Sequence, residues 1–435
     1  MNDPILTPKN PNRREFIKTS SAAVIGGAMA SLSFPARSFA SNSDTIKVGL
    51  IGCGGRGTGA AGQALNADKN VVVSAMGDVF EDQLAGSMRA LQSVAADRVQ
   101  VDPDHRFVGL DAYQKVLASG VDVVILATPP GFRPIHLKAA VDAGKHIFCE
   151  KPMAVDGPGV RAVLAAAEEA KKKKLCLASG FCWRSDYPKR DTFGRVLNGD
   201  IGDITSIYST YNTGPVKDST IRKPDWTDLQ VQLRNWYQFS WLCGDHIVEQ
   251  AVHSIDMMAW AMGNVPPVRA TANGGRQVRT SLGNIYDHFA VVYEYENGAR
   301  GFHFSRQIAG CSNDYSVNIA GTKGHCLVDC TRTRHVITGE HPWTNTAKKG
   351  TDMYQVEHNE LFAAIRKGET INHGVWMAHS TLTAILGRMA AYTGQTVTWE
   401  QALNSEEVLA PENIAWDAHL QMPPPIPMPG KTKLV

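Results

Sequence analysis

The sequence predicts an α/β protein: an N-terminal doubly wound parallel sheet, then an α+β domain with a large, mostly antiparallel open sheet. Three observations carry this expectation. Apolar strands alternate with helical patterns from Asp44 to Lys174, a glycine-rich turn joins the first strand to the first helix, and alternating segments with hairpin turns follow Pro266. The 435 residues, 43% hydrophobic and 20% charged, hold enough material for more than one core. The pattern divides the chain into 1–43 (leader and linker), 44–174, and 175–435, the last including a helical segment at 354–400.

Residues 1–43 read as an export signal. Asn12-Arg13-Arg14-Glu15-Phe16-Ile17-Lys18 is a twin-arginine pattern, Ala22 to Phe34 is mildly apolar, and Ser38-Phe39-Ala40 supplies the small residues of a cleavage site. The Ser, Ala and Gly content of the apolar stretch is poor material for a membrane anchor, so no integral membrane segment is expected in the mature chain. The pattern predicts a periplasmic or otherwise exported protein that leaves the cytoplasm folded. A protein that leaves the cytoplasm folded must bring any dissociable cofactor with it, so tight retention of one is expected.

Asp44 to Ile51 forms an apolar-rich strand that runs into Gly52-Cys53-Gly54-Gly55-Arg56-Gly57, and Thr58 to Asn66 then reads as helix. In that setting the glycines permit a tight turn and a close backbone approach to a pyrophosphate, which the helix N-terminus attracts. Val71 to Met76 is a second buried strand. Asp78, after it, lies about twenty residues beyond Gly57, where an acid binds the adenosine ribose hydroxyls of a Rossmann-bound dinucleotide. Val79 and Phe80 follow, with no arginine there to take a 2′-phosphate, so the expected cofactor is NAD rather than NADP. Val121 to Ala127, a helix from Ile135 to Gly144, and the strand His146 to Cys149 continue the parallel alternation.

That strand ends in Glu150-Lys151-Pro152-Met153-Ala154. Together with the glycine turn, the run Ala127-Thr128-Pro129-Pro130, His136, and Ala143-Gly144-Lys145-His146, it resembles the Gfo/Idh/MocA family of glucose–fructose oxidoreductase and inositol dehydrogenase relatives. The resemblance extends to Tyr354–Trp399, and above all to Ser380–Ala390. It implies that Thr128, Pro129, His136 and Glu150 border the cofactor, and that Lys151 stands where cofactor and substrate meet. Residue chemistry agrees, since a lysine at the C-terminal mouth of a parallel strand faces the ligand crevice.

In the second half, Gly244 to Asp256 is the densest polar cluster. Read as one helix, His246, Glu249, His253 and Asp256 form a single stripe suited to proton relay. The resemblance makes His253 the acid/base. The family places Asp four residues earlier, where this chain has Glu249. A metal site on the same four residues competes, but no H-E-x-x-H spacing occurs and hydride transfer needs no metal, so none is expected. Arg184 resembles a pocket-lining segment. Trp236, in an aromatic run before the polar cluster, suits stacking on sugar faces or core packing equally. Ala290–Glu296, Asn297-Gly298 and Gly301–Phe304 read as an antiparallel hairpin of an open sheet whose free face suggests a homo-oligomer.

Net charge is +2, from 44 basic and 42 acidic side chains, which favours neither nucleic acid nor an anionic membrane as partner. The eight cysteines include no Cys-x-x-Cys pair, and several lie in apolar runs, so most read as buried thiols. The expected function is hydride transfer between a sugar, glycoside or cyclic polyol carbinol and NAD. His253 would take the hydroxyl proton, helped by Glu249 and Lys151. A glycosidase acting by transient C3 oxidation and a non-catalytic sugar-binding protein are the alternatives.

Overall fold

The computed structural model describes residues 44–216 and 221–435; the export-signal reading of 1–43 lies outside them. The first sheet comprises β1 (Ile46–Ile51), β2 (Val71–Asp78), β3 (Arg106–Val108), β4 (Val123–Leu126), β5 (His146–Cys149) and β6 (Leu177–Ser179). Their order is β3-β2-β1-β4-β5-β6, and every pairing is parallel. A parallel sheet is covered on both faces, which explains the unbroken apolar runs of β4 and β5. Within β4, Val123 and Ile125 join a core with Val48, Ala60 and Leu84, while Val124 and Leu126 join another with Leu137, Ala140 and Val160. The strand's period of two thus feeds two separate layers.

The first sheet reaches beyond residue 174, because β6 pairs with β5. It is also covered from far along the chain: Leu361, Phe362 and Ile365 of helix Met353–Lys367 join Val48 and Val123 in one core. The Lys171–Lys174 run sits at the end of helix Gly157–Lys172, where cations favour the helix dipole.

The second sheet comprises β7 (Ile204–Thr213), β8 (Arg269–Gly275), β9 (His288–Glu294), β10 (Arg300–Gln307), β11 (Ser316–Gly321), β12 (Gly324–Asp329), β13 (His335–Gly339), β14 (Trp343–Thr344) and β15 (Val397–Thr398). Its order is β14-β13-β12-β11-β7-β10-β9-β8-β15, with β7 and β10 parallel and the other pairs antiparallel. The expected hairpin turns at Asn297-Gly298, with Gly298 at φ 85°. Phe289, Val291 and Tyr293 are buried with helix Gly374–Thr393, where the Tyr293 hydroxyl donates to the Thr383 carbonyl at 3.0 Å. Tyr208 and Phe304 stand partly exposed, their ring centroids 5.4 Å apart. Seven of the eight cysteines are buried and Cys311 is exposed, and all eight are free thiols. No helix among the described residues is long and apolar enough to cross a membrane.

One element differs from expectation. Residues 246–256 form two helices, His246–Glu249 and Val252–Ala261. The His246 carbonyl accepts from both Gln250 and Ala251, and the His253 N–H goes to Gln250 instead of Glu249. This interruption frees the Glu249 carbonyl, and it breaks the single stripe.

Candidate active site

β1 delivers the chain to Gly52, whose φ of 98° is open to glycine alone without strain. A Cβ there would lie 2.7 Å from the Ala127 carbonyl carbon, so the turn also presses against the end of β4. Helix Gly55–Ala67 starts within the turn. Among the described residues, a Cβ on Gly54 or Gly55 would meet nothing within 4 Å. The helix N-terminus therefore opens onto free space, a cradle that fits a diphosphate. The cleft above it has a volume of about 950 Å³ and is bordered by Gly52, Gly54, Gly55, Arg56, Gly57, Asp78, Thr128, Pro129, His136 and Trp236.

Asp78 closes β2 at the cleft wall. Its Oδ2 accepts from the Cys53 N–H at 2.7 Å and its Oδ1 from the Phe80 N–H at 2.9 Å, which ties the acid to the glycine turn. Burial raises its pKa above the usual carboxylate value despite these donors. On the opposite wall, Thr128 Oγ1 and His136 Nδ1 lie 3.0 Å apart, and the His136 ring stacks on Tyr113 at 4.2 Å. Burial, with the Arg133 charge second, lowers His136 to about 3, so its imidazole is neutral at physiological pH.

Glu150 is buried beneath the turn and accepts from Arg56 Nε. The Arg56 guanidinium lies 4.8 Å from the Tyr354 ring. Arg133, buried, donates through its two terminal nitrogens to the carbonyls of Thr128, Glu150 and Pro152. It thereby ties the ends of β4 and β5 together. Its position at the start of helix Arg133–Asp142, where a cation opposes the helix dipole, was a local signal of such a task.

Lys151 precedes a cis Pro152. Its Nζ donates to the freed Glu249 carbonyl and, at 3.0 Å, to Glu249 Oε1. The two side chains are 14% and 6% exposed, so this ion pair is shielded from water. Glu249 Oε2 and His253 Nδ1 are buried with no hydrogen-bond partner among the described residues. The His253 ring packs 5.1 Å from Trp183, and burial, with the Lys151 charge second, drives its pKa well below 6.5. Tyr237, stacked on Trp236 at 3.8 Å, also borders the cleft, and the Glu249 charge is the first cause of its raised pKa.

Two expected substrate ligands are spoken for elsewhere. Arg184 pairs with Asp256 at 2.7 Å, donates to Asn264 at 2.8 Å and stacks over Trp376 at 4.1 Å. It braces elements behind His253, and Asp256 is consumed by it and by Ser380 at 2.6 Å. His246 is buried, with Nδ1 3.2 Å from the Tyr286 carbonyl and Nε2 3.3 Å from Ser305 Oγ, which makes it a core tie to β10. Among the described residues no group of three or more His, Cys, Asp or Glu could hold a metal ion.

Fold and cleft define a dinucleotide-binding protein with a second domain that brings ionisable side chains to the cleft mouth. Residues 46–181 match the model of the oxidoreductase family NAD-binding Rossmann fold, and residues 194–408 match that family's C-terminal alpha/beta domain. The chain belongs to the Gfo/Idh/MocA oxidoreductase family, and its cofactor is NAD. Among similar proteins is an inositol 2-dehydrogenase of Rhizobium meliloti, 24% identical over 75% of this chain and 91% of that protein. A myo-inositol 2-dehydrogenase of Thermotoga maritima is 25% identical over 68% of this chain and 79% of that protein. A solved levoglucosan dehydrogenase, in complex with NADH and levoglucosan, shares the fold with a TM-score of 0.64 and 19% identity, over 82% of this chain and 99% of that one.

Proposed function

We propose that this chain oxidises a ring carbinol of a sugar or cyclic polyol, with Lys151, Glu249 and His253 as its working residues. The observation that carries this reading is the shielded Lys151–Glu249 pair beside His253, with Glu249 Oε2 and His253 Nδ1 both buried and unpartnered. The similarity to inositol dehydrogenases and the fold shared with levoglucosan dehydrogenase support the substrate class.

The glycine turn and helix N-terminus would hold the NAD diphosphate, and Asp78 the adenosine ribose. Bound NAD supplies the hydride acceptor. Neutral His253 takes the proton of the substrate hydroxyl at Nε2, because Nδ1 is sealed inside the protein. The Lys151 ammonium donates to the same substrate oxygen and stabilises the charge that develops as the proton leaves. Glu249 positions Lys151 through its carbonyl and carboxylate. The aromatic faces of Trp236 and Tyr237 suit the apolar side of a sugar ring.

The twin-arginine pattern supports export of the folded, cofactor-loaded enzyme, which cell fractionation checks. His253→Ala tests the catalytic assignment. Turnover of a sugar and polyol panel should vanish while NADH binding persists. Full activity in the variant refutes the role of His253.

A further inference from the structure

No arginine directly follows Asp78 in the chain, yet one from a distant segment borders the same cleft. Arg234, from helix Asp228–Arg234 of the second half, places its guanidinium 3.7 Å from the Phe80 ring and 5.5 Å from that of Trp226. It borders the same cleft as Asp78. In nucleotide sites of this design, an arginine near the acid after the second strand receives the 2′-phosphate of NADP. Here the cation is already engaged. Arg234 Nη1 donates to Asp82 Oδ2 at 2.6 Å and Nη2 to Asp82 Oδ1 at 2.7 Å, a two-pronged, planar match. Arg234 Nε is buried and has no partner among the described residues, so one donor of the fork remains unused there. The Asp82 side chain is 60% exposed and that of Arg234 is 22% exposed, so the carboxylate is the partner that solvent readily replaces.

We propose that Asp82 sets the cofactor preference by holding Arg234, the cation that would otherwise receive a 2′-phosphate. With the pair closed, Asp78 and Asp82 present two carboxylates to the adenosine end and repel a phosphate. With Asp82 removed, Arg234 turns its freed donors to the 2′-phosphate, and the site admits NADP. The inference rests on the cleft being the NAD site, and NADH binding by the wild type tests that separately.

The experiment titrates NADH and NADPH into the full-length wild type, Asp82→Ala, Arg234→Met and the Asp82→Ala/Arg234→Met double variant, following nucleotide fluorescence. The readout is the ratio of the two dissociation constants, which a uniform loosening of the cleft leaves unchanged. The wild type should prefer NADH. Asp82→Ala should shift the ratio towards NADPH by about tenfold or more, the effect of one charge-assisted contact, and the double variant should lose that shift. An unchanged ratio in Asp82→Ala, an equal shift in the double variant, or a wild type that binds both nucleotides equally overturns the proposal. Failure of the wild type to bind NADH overturns the cleft assignment instead.

Discussion

Alanine at Gly57 and alanine at Gly54 add the same methyl group to the same turn, with opposite consequences. At Gly57 the new Cβ would lie 1.9 Å from the Gly52 carbonyl oxygen and 3.1 Å from Ala127 Cβ. The obstacle is backbone, so helix Gly55–Ala67 must move away from β1. Overpacking of this kind costs about 1–3 kcal/mol, which lowers the melting temperature by roughly 1–4 °C in a protein of this size. At Gly54 the new Cβ would meet nothing within 4 Å, and the backbone, at φ −70° and ψ 179°, is one that alanine adopts freely. Gly54→Ala should leave the melting temperature unchanged or raise stability by about 0.4–1 kcal/mol through the unfolded chain. Its methyl instead enters the space a diphosphate needs. Losing one or more hydrogen bonds to a charged group, at about 1.5–3 kcal/mol, weakens NADH binding about ten- to hundredfold. Thermal melts without nucleotide and NADH titrations separate the two effects. Wild-type NADH affinity in Gly54→Ala, or a wild-type melt in Gly57→Ala, refutes this reading of the turn.

Lys151→Met leaves the buried Glu249 carboxylate without its cation, and breaking such a pair costs about 3–5 kcal/mol. Adding Glu249→Gln should recover most of that loss in urea unfolding; a Lys151→Met variant as stable as the wild type contradicts the shielded pair. Because burial and the Lys151 charge lower the His253 pKa, the acid limb of kcat/KM should lie below pH 6.5. That limb should move upward in Lys151→Met if residual turnover is measurable, and a wild-type limb above 6.5 contradicts the assignment. Buried His136, His303 and His358 sit at about 3 and His146 and His373 at about 4, so all five are neutral in the fold near pH 6. In the unfolded chain they bind protons below pH 6.5. Their contribution is therefore complete above 6.5 and falls as pH drops, by about 1.4 kcal/mol per unit for each histidine. Glu357 and Asp78, whose carboxyls burial pushes up, act in the opposite sense, while His253, also held low, acts with the five histidines. The urea midpoint should fall between pH 7.5 and 5.5; a constant or rising midpoint contradicts the buried neutral histidines.

What the sequence made legible was local. β1, the glycine turn and the following helix were readable because an apolar run, three glycines and an amphipathic pattern adjoin one another. Lys151 was readable because the end of a parallel strand names its own position. The reading failed where the answer lay in a distant partner. The interruption after Glu249 carries no glycine or proline, and it shows in the Ala251 N–H pairing with the His246 carbonyl and the His253 N–H with the Gln250 carbonyl. Arg184 and His246 are polar groups of the expected type, but Asp256 and Asn264 claim the first, and Tyr286 and Ser305 the second. Arg234 illustrates the same limit in the other direction. It lies 152 residues from Asp82, so no spacing rule near Asp78 could find it.

The central claim is that a ring carbinol gives its hydride to NAD at the Lys151–Glu249–His253 cluster. The most direct measurement incubates the protein with NAD and sugars or cyclic polyols deuterated at the ring carbons, then weighs the recovered cofactor by mass spectrometry. Deuterium should appear in the reduced cofactor with the wild type and none with His253→Ala. Substrate conversion that leaves the cofactor without deuterium, or transfer that survives in His253→Ala, would contradict it.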